Sequence, residues 1–209
     1  MNVRHWGQQP YQAVWDAMKH FTAHRDPSTA DELWLLEHEP VYTQGQAGKA
    51  EHIRMPSSIP LVQSDRGGQV TYHGPGQLIA YILMDLRRSS LTIGSLVRQL
   101  EQVIIQILGD FSVSAHTQSG APGVYVDNKK IASIGLRVKQ GCTYHGIAFN
   151  VAMDLQPFAN INPCGNPQLL MTQLCDFVPE ITVLDVMTRF EHYFLNAMTA
   201  FLHDRQETL

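Results

Sequence analysis

Two residues in this chain combine a type that could do covalent chemistry with an unusual setting: a cysteine in "NINPCGNP" and a lysine heading "KIASIGLRV". Cys164 stands between Pro163 and Gly165, in a run rich in Asn, Pro and Gly that reads as loop. Pro163 fixes the approach and Gly165 leaves the thiol uncrowded, which is not the setting of a core-packing cysteine. A free thiol is only a few per cent thiolate near neutral pH, so a nucleophilic cysteine calls for a cationic neighbour. Lys130 is such a group. Spacing alone does not bring it to Cys164, and a lysine at a strand start usually faces water.

The run "RGGQVTYHGPGQL", Arg66 to Leu78, is the third unusual stretch. Glycine between strands costs stability relative to alanine. Gly67 and Gly68 read either as a tight turn or bulge, or as bare backbone whose N–H groups face a substrate oxygen. The absence of GK[ST], and of GxGxxG opening a helix, argues against a phosphate loop. His73 reads as a hydrogen-bonded structural residue or a base, and Arg66 as a solvated charge or a ligand contact. Their density in so few positions raises the functional reading.

Cys142 and His145 form C-x-x-H, and Cys164 and Cys175 could complete a zinc set. The spacings match no structural zinc pattern, and alternate residues of a strand point apart. Three cysteines are too few for a disulfide framework.

These residues need a scaffold. The 209 residues fit one domain spanning 1–209. With 44% hydrophobic and 16% charged residues, the chain can bury an ordinary core. A formal net charge of -4 argues against a general nucleic-acid or membrane-surface binder. No secretory signal or membrane-length apolar run is present, so a cytoplasmic protein is expected.

Periodicity predicts a helix over 11–25, a buried strand over 31–38, and a loop from Pro40 to about Pro60. Strands are expected near 61–64, 69–73 and 78–85, then a helix over 92–108. "GVYVD", "KIASIGLRV" and "TYHGIAFNV" read as three strands, the first two joined by a "DNKK" hairpin turn. A last helix opens at Thr182 with Asp185 three residues on. Strands in runs predict an α+β fold with a mixed, largely antiparallel sheet and packed helices.

Together "RGGQVTYHGPGQL", "GVYV", "KIASIGLRV", "HGIAFNV" and "INPCGN", in this order, resemble the octanoyltransferases of lipoate biosynthesis. The resemblance runs from about Trp34 to Cys175 and shows no departure at the positions that matter. It implies a biotin/lipoate protein ligase-like fold. It implies transfer of an octanoyl group from acyl carrier protein to a lysine of lipoyl domains, those of 2-oxoacid dehydrogenases and the glycine cleavage H protein. It implies Cys164 as nucleophile and Lys130 as its partner, with no cofactor and no metal, in a monomer. Substrate contacts are expected from Arg66, Gly67, Gly68, Gln69, Val70, Thr71, Tyr72 and His73, from Ser133, Ile134 and Gly135, and from Gly146, Ile147 and Ala148.

A thioester already stores acyl-transfer potential, so such an enzyme needs no ATP. Burying the six methylenes of an octanoyl tail is worth about 5 kcal/mol. Ala132, Ser133, Gly135, Gly146 and Ala148 are small enough to leave that slot, and Gly74 and Gly76 are expected to press on the substrate with Gly67 and Gly68. Three other readings stand beside this one. An ATP-dependent ligase would carry a GRGRxG-like run, which is absent. A cysteine hydrolase would pair Cys164 with His73 or His145. A non-catalytic acyl-binding protein would not need Cys164.

Overall fold

The computed structural model describes residues 1–89 and 91–206. In chain order the elements are β1 (Asn2–Gln9), α1 (Tyr11–His24), β2 (Glu32–His38), β3 (Val41–Gln44), β4 (Leu61–Gln63), β5 (Val70–His73), β6 (Gln77–Leu83), α2 (Leu86–Ser89), α3 (Ile93–Asp110), β7 (His116–Thr117), β8 (Gly123–Val126), β9 (Lys129–Lys139), β10 (Cys142–Asn150) and α4 (Val183–Gln206). The expected α+β class is observed. A seven-stranded sheet has the order β1-β2-β6-β10-β9-β8-β7, and a three-stranded sheet the order β4-β3-β5. β1 with β2 and β3 with β4 are parallel pairs; the rest are antiparallel.

The alternation of β2 and β6 sorts the large sheet into two faces. Leu33, Leu35, Leu78, Ala80 and Ile82 pack under α3 and α4. Trp34, Leu36, Ile79, Tyr81 and Leu83 pack under Val14 and Met18 of α1. Helix α3 starts at a reciprocal cap between Thr92 and Ser95. At the head of α4 the Asp185 N–H donates to Thr182 Oγ1, and Asp185 Oδ2 accepts from Thr182 N–H. These caps satisfy backbone donors that a helix start leaves open.

The "DNKK" turn is a hairpin with Asp127 and Asn128 at φ 47° and 63°. Two positive φ values in a two-residue loop match the twist of the flanking strands. One expectation needs correction, and two further elements were not foreseen. Residues 41–44 belong to β3, fully buried, rather than to a loop. Residues 2–9 form an edge strand, half exposed and without clean alternation, whose order comes from parallel pairing with β2. A short helical turn, α2, follows β6 before the predicted α3.

Candidate active site

Cys164 is exposed at a single turn, Pro163–Gly165, with φ 55° and ψ 19°. A left-handed backbone at a residue with a Cβ is costly and marks a candidate functional position. The turn is held by Gly165 N–H to Asn162 O at 2.9 Å and Asn166 N–H to Pro163 O at 3.0 Å. Asn162 N–H in turn bonds His52 O at 2.8 Å, tying the thiol loop to the loop between β3 and β4.

Lys130 is not solvated, contrary to the ordinary expectation for a strand-start lysine: it is 3% exposed. A bulge puts it there. Tyr125 pairs with Lys130, but Val124 pairs with Ala132, so β9 carries one extra residue at this point. Its backbone is pinned on the other side by Lys130 N–H to Leu170 O and Thr172 N–H to Lys130 O. The ammonium donates to Pro122 O at 2.9 Å and to Cys164 Sγ at 3.4 Å, and lies 5.2 Å from the Tyr125 ring centroid. Gly123, at φ 132°, makes room: a Cβ there would sit 3.0 Å from Lys130 Cε.

Arg66 is also buried, 8% exposed, and forms no salt bridge among the described residues. Its Nε donates to Thr43 Oγ1 at 3.0 Å, Nη1 to Gly67 O at 2.8 Å, and Nη2 to Thr43 O and Gln69 O at 2.5 and 2.7 Å. Burial pulls the guanidinium below its ordinary value. From Thr43 the bonds continue inward. His73 Nδ1 bonds Gln77 Oε1 at 2.8 Å, while Gln77 Nε2 donates to Asn150 Oδ1 at 2.9 Å and Asn150 Nδ2 to Thr172 O at 3.0 Å. Gln77 Oε1 is an acceptor, so His73 carries its proton on Nδ1, and Nε2 accepts from the Thr43 hydroxyl at 3.1 Å. Burial pushes His73 well below its ordinary value, so it is neutral. The chain of bonds thus runs from Arg66 to Thr172, whose N–H holds the Lys130 carbonyl.

Asp65, next in sequence to Arg66, faces elsewhere. It accepts from Trp15 Nε1 at 2.8 Å, from His145 Nε2 at 2.9 Å and from the Tyr144 hydroxyl. Neighbours on a strand normally point apart. Here φ 60° at His145 lets Tyr144 and His145 reach one carboxylate. Burial acts to raise the Asp65 carboxyl, but the bonds from His145 and Tyr144 outweigh it and hold it far below the usual range.

These walls enclose a cavity of about 520 Å³. Every residue expected to contact substrate lines it except Tyr72, together with Cys164 and Lys130. Tyr72 points from the other face of β5 into a cluster with Tyr42 and Phe158. Ala132 belongs to the core under α3 and α4, so it does not widen the slot. Gly74 and Gly76 do not press on the cavity either. A Cβ on Gly74 would meet the Tyr72 hydroxyl at 2.3 Å, and one on Gly76 the Ala152 carbonyl at 2.0 Å. They are bare for packing, whereas Gly67 and Gly68 line the cavity.

The zinc alternative loses its ligands. Cys142 is buried beside Arg87, His145 is spent on Asp65, and no group of three or more candidate ligands exists among the described residues. Sequence reasoning missed Thr43, Gln77, Asn150 and Asp65. Thr43, Gln77 and Asn150 stand on buried strands and Asp65 just past β4, and each has at least one partner distant in sequence.

The model of the lipoyl protein ligase A/B catalytic domain matches residues 10–195. The chain belongs to that family. Within it the chain falls among the octanoyltransferases and is a transferase. It is 60% identical over 195 residues to the octanoyltransferase of Legionella pneumophila strain Paris, covering 93% of this chain and 98% of that one. It is 57% identical over 180 residues to that of Cellvibrio japonicus, covering 86% and 84%. Among solved structures, a bi-partite lipoate protein ligase from Thermoplasma acidophilum superposes with a TM-score of 0.72 at 15% identity, over 98% of this chain and 91% of that one. A biotin protein ligase from Aquifex aeolicus gives 0.57 at 11% identity, over 97% and 72%. The expected biotin/lipoate ligase-like fold is therefore the observed one. No helix among the described residues is long and apolar enough to cross a membrane.

Proposed function

We propose that this single-domain protein moves an octanoyl group from the thioester of acyl carrier protein to a lysine of a lipoyl domain, through a thioester on Cys164. The observation that carries this reading is the Lys130 ammonium 3.4 Å from the Cys164 thiol, at the wall of a cavity sized for an acyl chain. The ammonium favours the thiolate. Thiolate attack on the carrier thioester forms the new carbon–sulfur bond. The carrier sulfur leaves with the electron pair of the broken bond and takes a proton from Lys130 Nζ. The neutral Lys130 then accepts the proton that the acceptor lysine sheds after its free amine attacks the carbonyl carbon of the Cys164 thioester, whose carbon–sulfur bond breaks with departure of the thiolate.

The apolar walls, Val70, Ile79, Ile134, Ile147 and Ala148, suit the octanoyl tail. Carrier proteins of this kind are acidic, and of the basic pairs in the sequence Lys49 with Arg54 suits them best. Both are exposed on the loop that bonds to the Cys164 turn, and Lys49 has only a long, exposed pairing with Glu51. Arg87 and Arg88 are engaged closely by Asp85 and Asp31, and in the third pair, Arg137 with Lys139, Arg137 is bonded to Gln46.

The test mixes the protein with octanoyl-acyl carrier protein and an apo lipoyl domain, without ATP, and weighs each protein by intact mass spectrometry. An octanoyl increment is expected first on this chain and then on the lipoyl domain. No increment on this chain, with the lipoyl domain still modified, would rule out the covalent route.

A further inference from the structure

A buried cation without an anion is an expensive feature, and Arg66 is one. A guanidinium has five N–H donors. Four are used, all on neutral acceptors: the Thr43 hydroxyl and the carbonyls of Thr43, Gly67 and Gln69. The fifth, on Nη1, has no partner among the described residues. Carbonyls orient a guanidinium but leave its charge uncompensated, and an uncompensated buried charge costs several kcal/mol or more. The adjacent carboxylate, Asp65, is turned to Trp15, Tyr144 and His145. The acidic groups within electrostatic range of Arg66 are Tyr11, Tyr81 and Cys164. Burial drives both tyrosines up, Tyr11 to about 12, so neither is an anion near neutral pH. That leaves Cys164, or a group bonded to it, as the place where a negative charge could meet the guanidinium.

Arg66 lines the same cavity as Cys164. The two are linked through one residue. Gln69 O holds Arg66 Nη2, and the Gln69 side chain lies 3.0 Å from where a Cβ on Gly165 would be. Nη1 is 3.7 Å from the Cβ position of Gly135 and 3.6 Å from that of Gly68, two glycines of the cavity wall. A side chain at either would meet Nη1 at ordinary contact distance, whereas a Cβ on Gly45 would collide with it at 2.9 Å, so Nη1 is bordered by three bare positions.

We propose that Arg66 is a catalytic residue whose free Nη1–H holds the oxyanion formed when a nucleophile adds to the acyl carbonyl. In acylation the Cys164 thiolate bonds the carbonyl carbon, and the carbonyl π pair moves onto oxygen, beside Arg66. Collapse returns that pair and breaks the bond to the carrier sulfur. In the second half-reaction the amine adds, the oxyanion forms again, and collapse expels the Cys164 thiolate. The negative charge therefore alternates between Sγ and the carbonyl oxygen, with Lys130 on one and Arg66 on the other. Thr43 is a positioning residue, since it bonds Nε and Nη2 of the guanidinium, and His73, Gln77 and Asn150 continue the chain of bonds behind it.

This rests on Cys164 being the acylated residue, and the test separates the two ideas. Octanal is the probe, because the Cys164 thiolate adds to it and leaves a tetrahedral oxygen with nothing expelled. Octanamide is the ground-state control, with the same tail and a planar carbonyl. In the Arg66→Met variant, octanal affinity and the acylation rate are expected to fall about 10²-fold while octanamide affinity holds within about twofold. Equal losses for octanal and octanamide, or none for either, overturn the proposal. Should Arg66→Met not fold, Thr43→Val carries the test, since it is near-isosteric and removes only the hydroxyl that orients Nε. It should shift the octanal-to-octanamide ratio in the same direction by about tenfold, and an unchanged ratio overturns the proposal. A wild-type protein that takes no octanoyl mass at Cys164 overturns the covalent reading itself, a separate result.

Discussion

Acid should destabilise this fold through its buried histidines, and His38 gives the effect a size. His38 is fully buried on β2. Its Nδ1–H donates to Gln9 O at 2.9 Å, so its Nε2 accepts from the Tyr81 hydroxyl at 2.7 Å. Burial depresses it from 6.5 to about 4, with a backbone bond to Gln9 only partly opposing. Above pH 6.5 neither the folded nor the unfolded chain protonates this ring, so it adds no pH dependence. As pH falls below 6.5 the unfolded chain takes up a proton that the folded one refuses, and stability is lost until about pH 4. Linkage makes the loss about 2 kcal/mol by about pH 5 and about 3 kcal/mol in full. Asp65 does not blur this window. Its folded value is depressed, so its contribution persists there and is lost only at lower pH. His73 and His145 shift in the same direction as His38, which calls for a difference measurement. Urea unfolding of wild type and His38→Gln, followed by tryptophan fluorescence at about pH 7.5 and about pH 5, supplies it. Glutamine can keep both bonds but cannot take the proton. The variant should lose about 2 kcal/mol less than wild type between the two conditions. Equal losses in both proteins would refute the argument that His38 is held neutral.

Cys164→Ser should abolish octanoyl transfer with an unchanged melting temperature, and Cys142→Ala should retain transfer; gel-shift or mass assays of the lipoyl domain read both. Lys130→Ala should slow alkylation of Cys164 near neutral pH about tenfold and slow both half-reactions. Lys130→Arg should recover alkylation but little aminolysis, because arginine keeps its proton; equal behaviour of the two variants would count against a two-step role. Gly146→Ala places a Cβ 1.9 Å from the Ala80 carbonyl, so thermal melts should show a loss of about 3 kcal/mol or more, or no folded protein. Cys164→Gly should be more stable than Cys164→Ala by about 1 kcal/mol, because only glycine takes φ 55° without strain; the opposite order would mean the turn relaxes.

What the sequence made legible was whatever local pattern encodes. α3 and α4 show their inner faces at every third or fourth position, and the cap of α4 stands where Thr182 and Asp185 announce it. β6, β9 and β10 could be read as apolar runs between turn residues. β1 could not, because "NVRHWGQQ" has neither alternation nor an apolar run and depends on a partner more than twenty residues away. β3 was masked by its boundaries, since Pro40 and Gly45 punctuate a four-residue strand as they would a loop. The glycines separate along the same line. Gly67 and Gly74 look alike in "RGGQVTYHGPGQL", and only the tertiary neighbour distinguishes them: a cavity for one, the Tyr72 hydroxyl for the other. Likewise nothing near Asp65 in the chain announces Trp15, Tyr144 and His145 as its partners.

The local irregularities converge on the same few atoms, and each has a physical cost that ordinary packing would not require. Lys130 is buried through a bulge, where a regular β9 would alternate without the extra residue. Cys164 is left-handed, and a glycine would be cheaper. Arg66 is buried on neutral acceptors, and a neutral residue would avoid desolvation. These departures share an effect: two cations border the cavity that holds the thiol, and among the described residues neither forms an ion pair with a carboxylate. A structural network would satisfy its own charges, as Arg4 does in its two-point pairing with Glu32. Around Cys164 the charge is left open on the protein side. That arrangement stabilises an anion that is present only while the thiol is ionised or an acyl carbonyl is under attack, which is where catalysis by differential binding requires it.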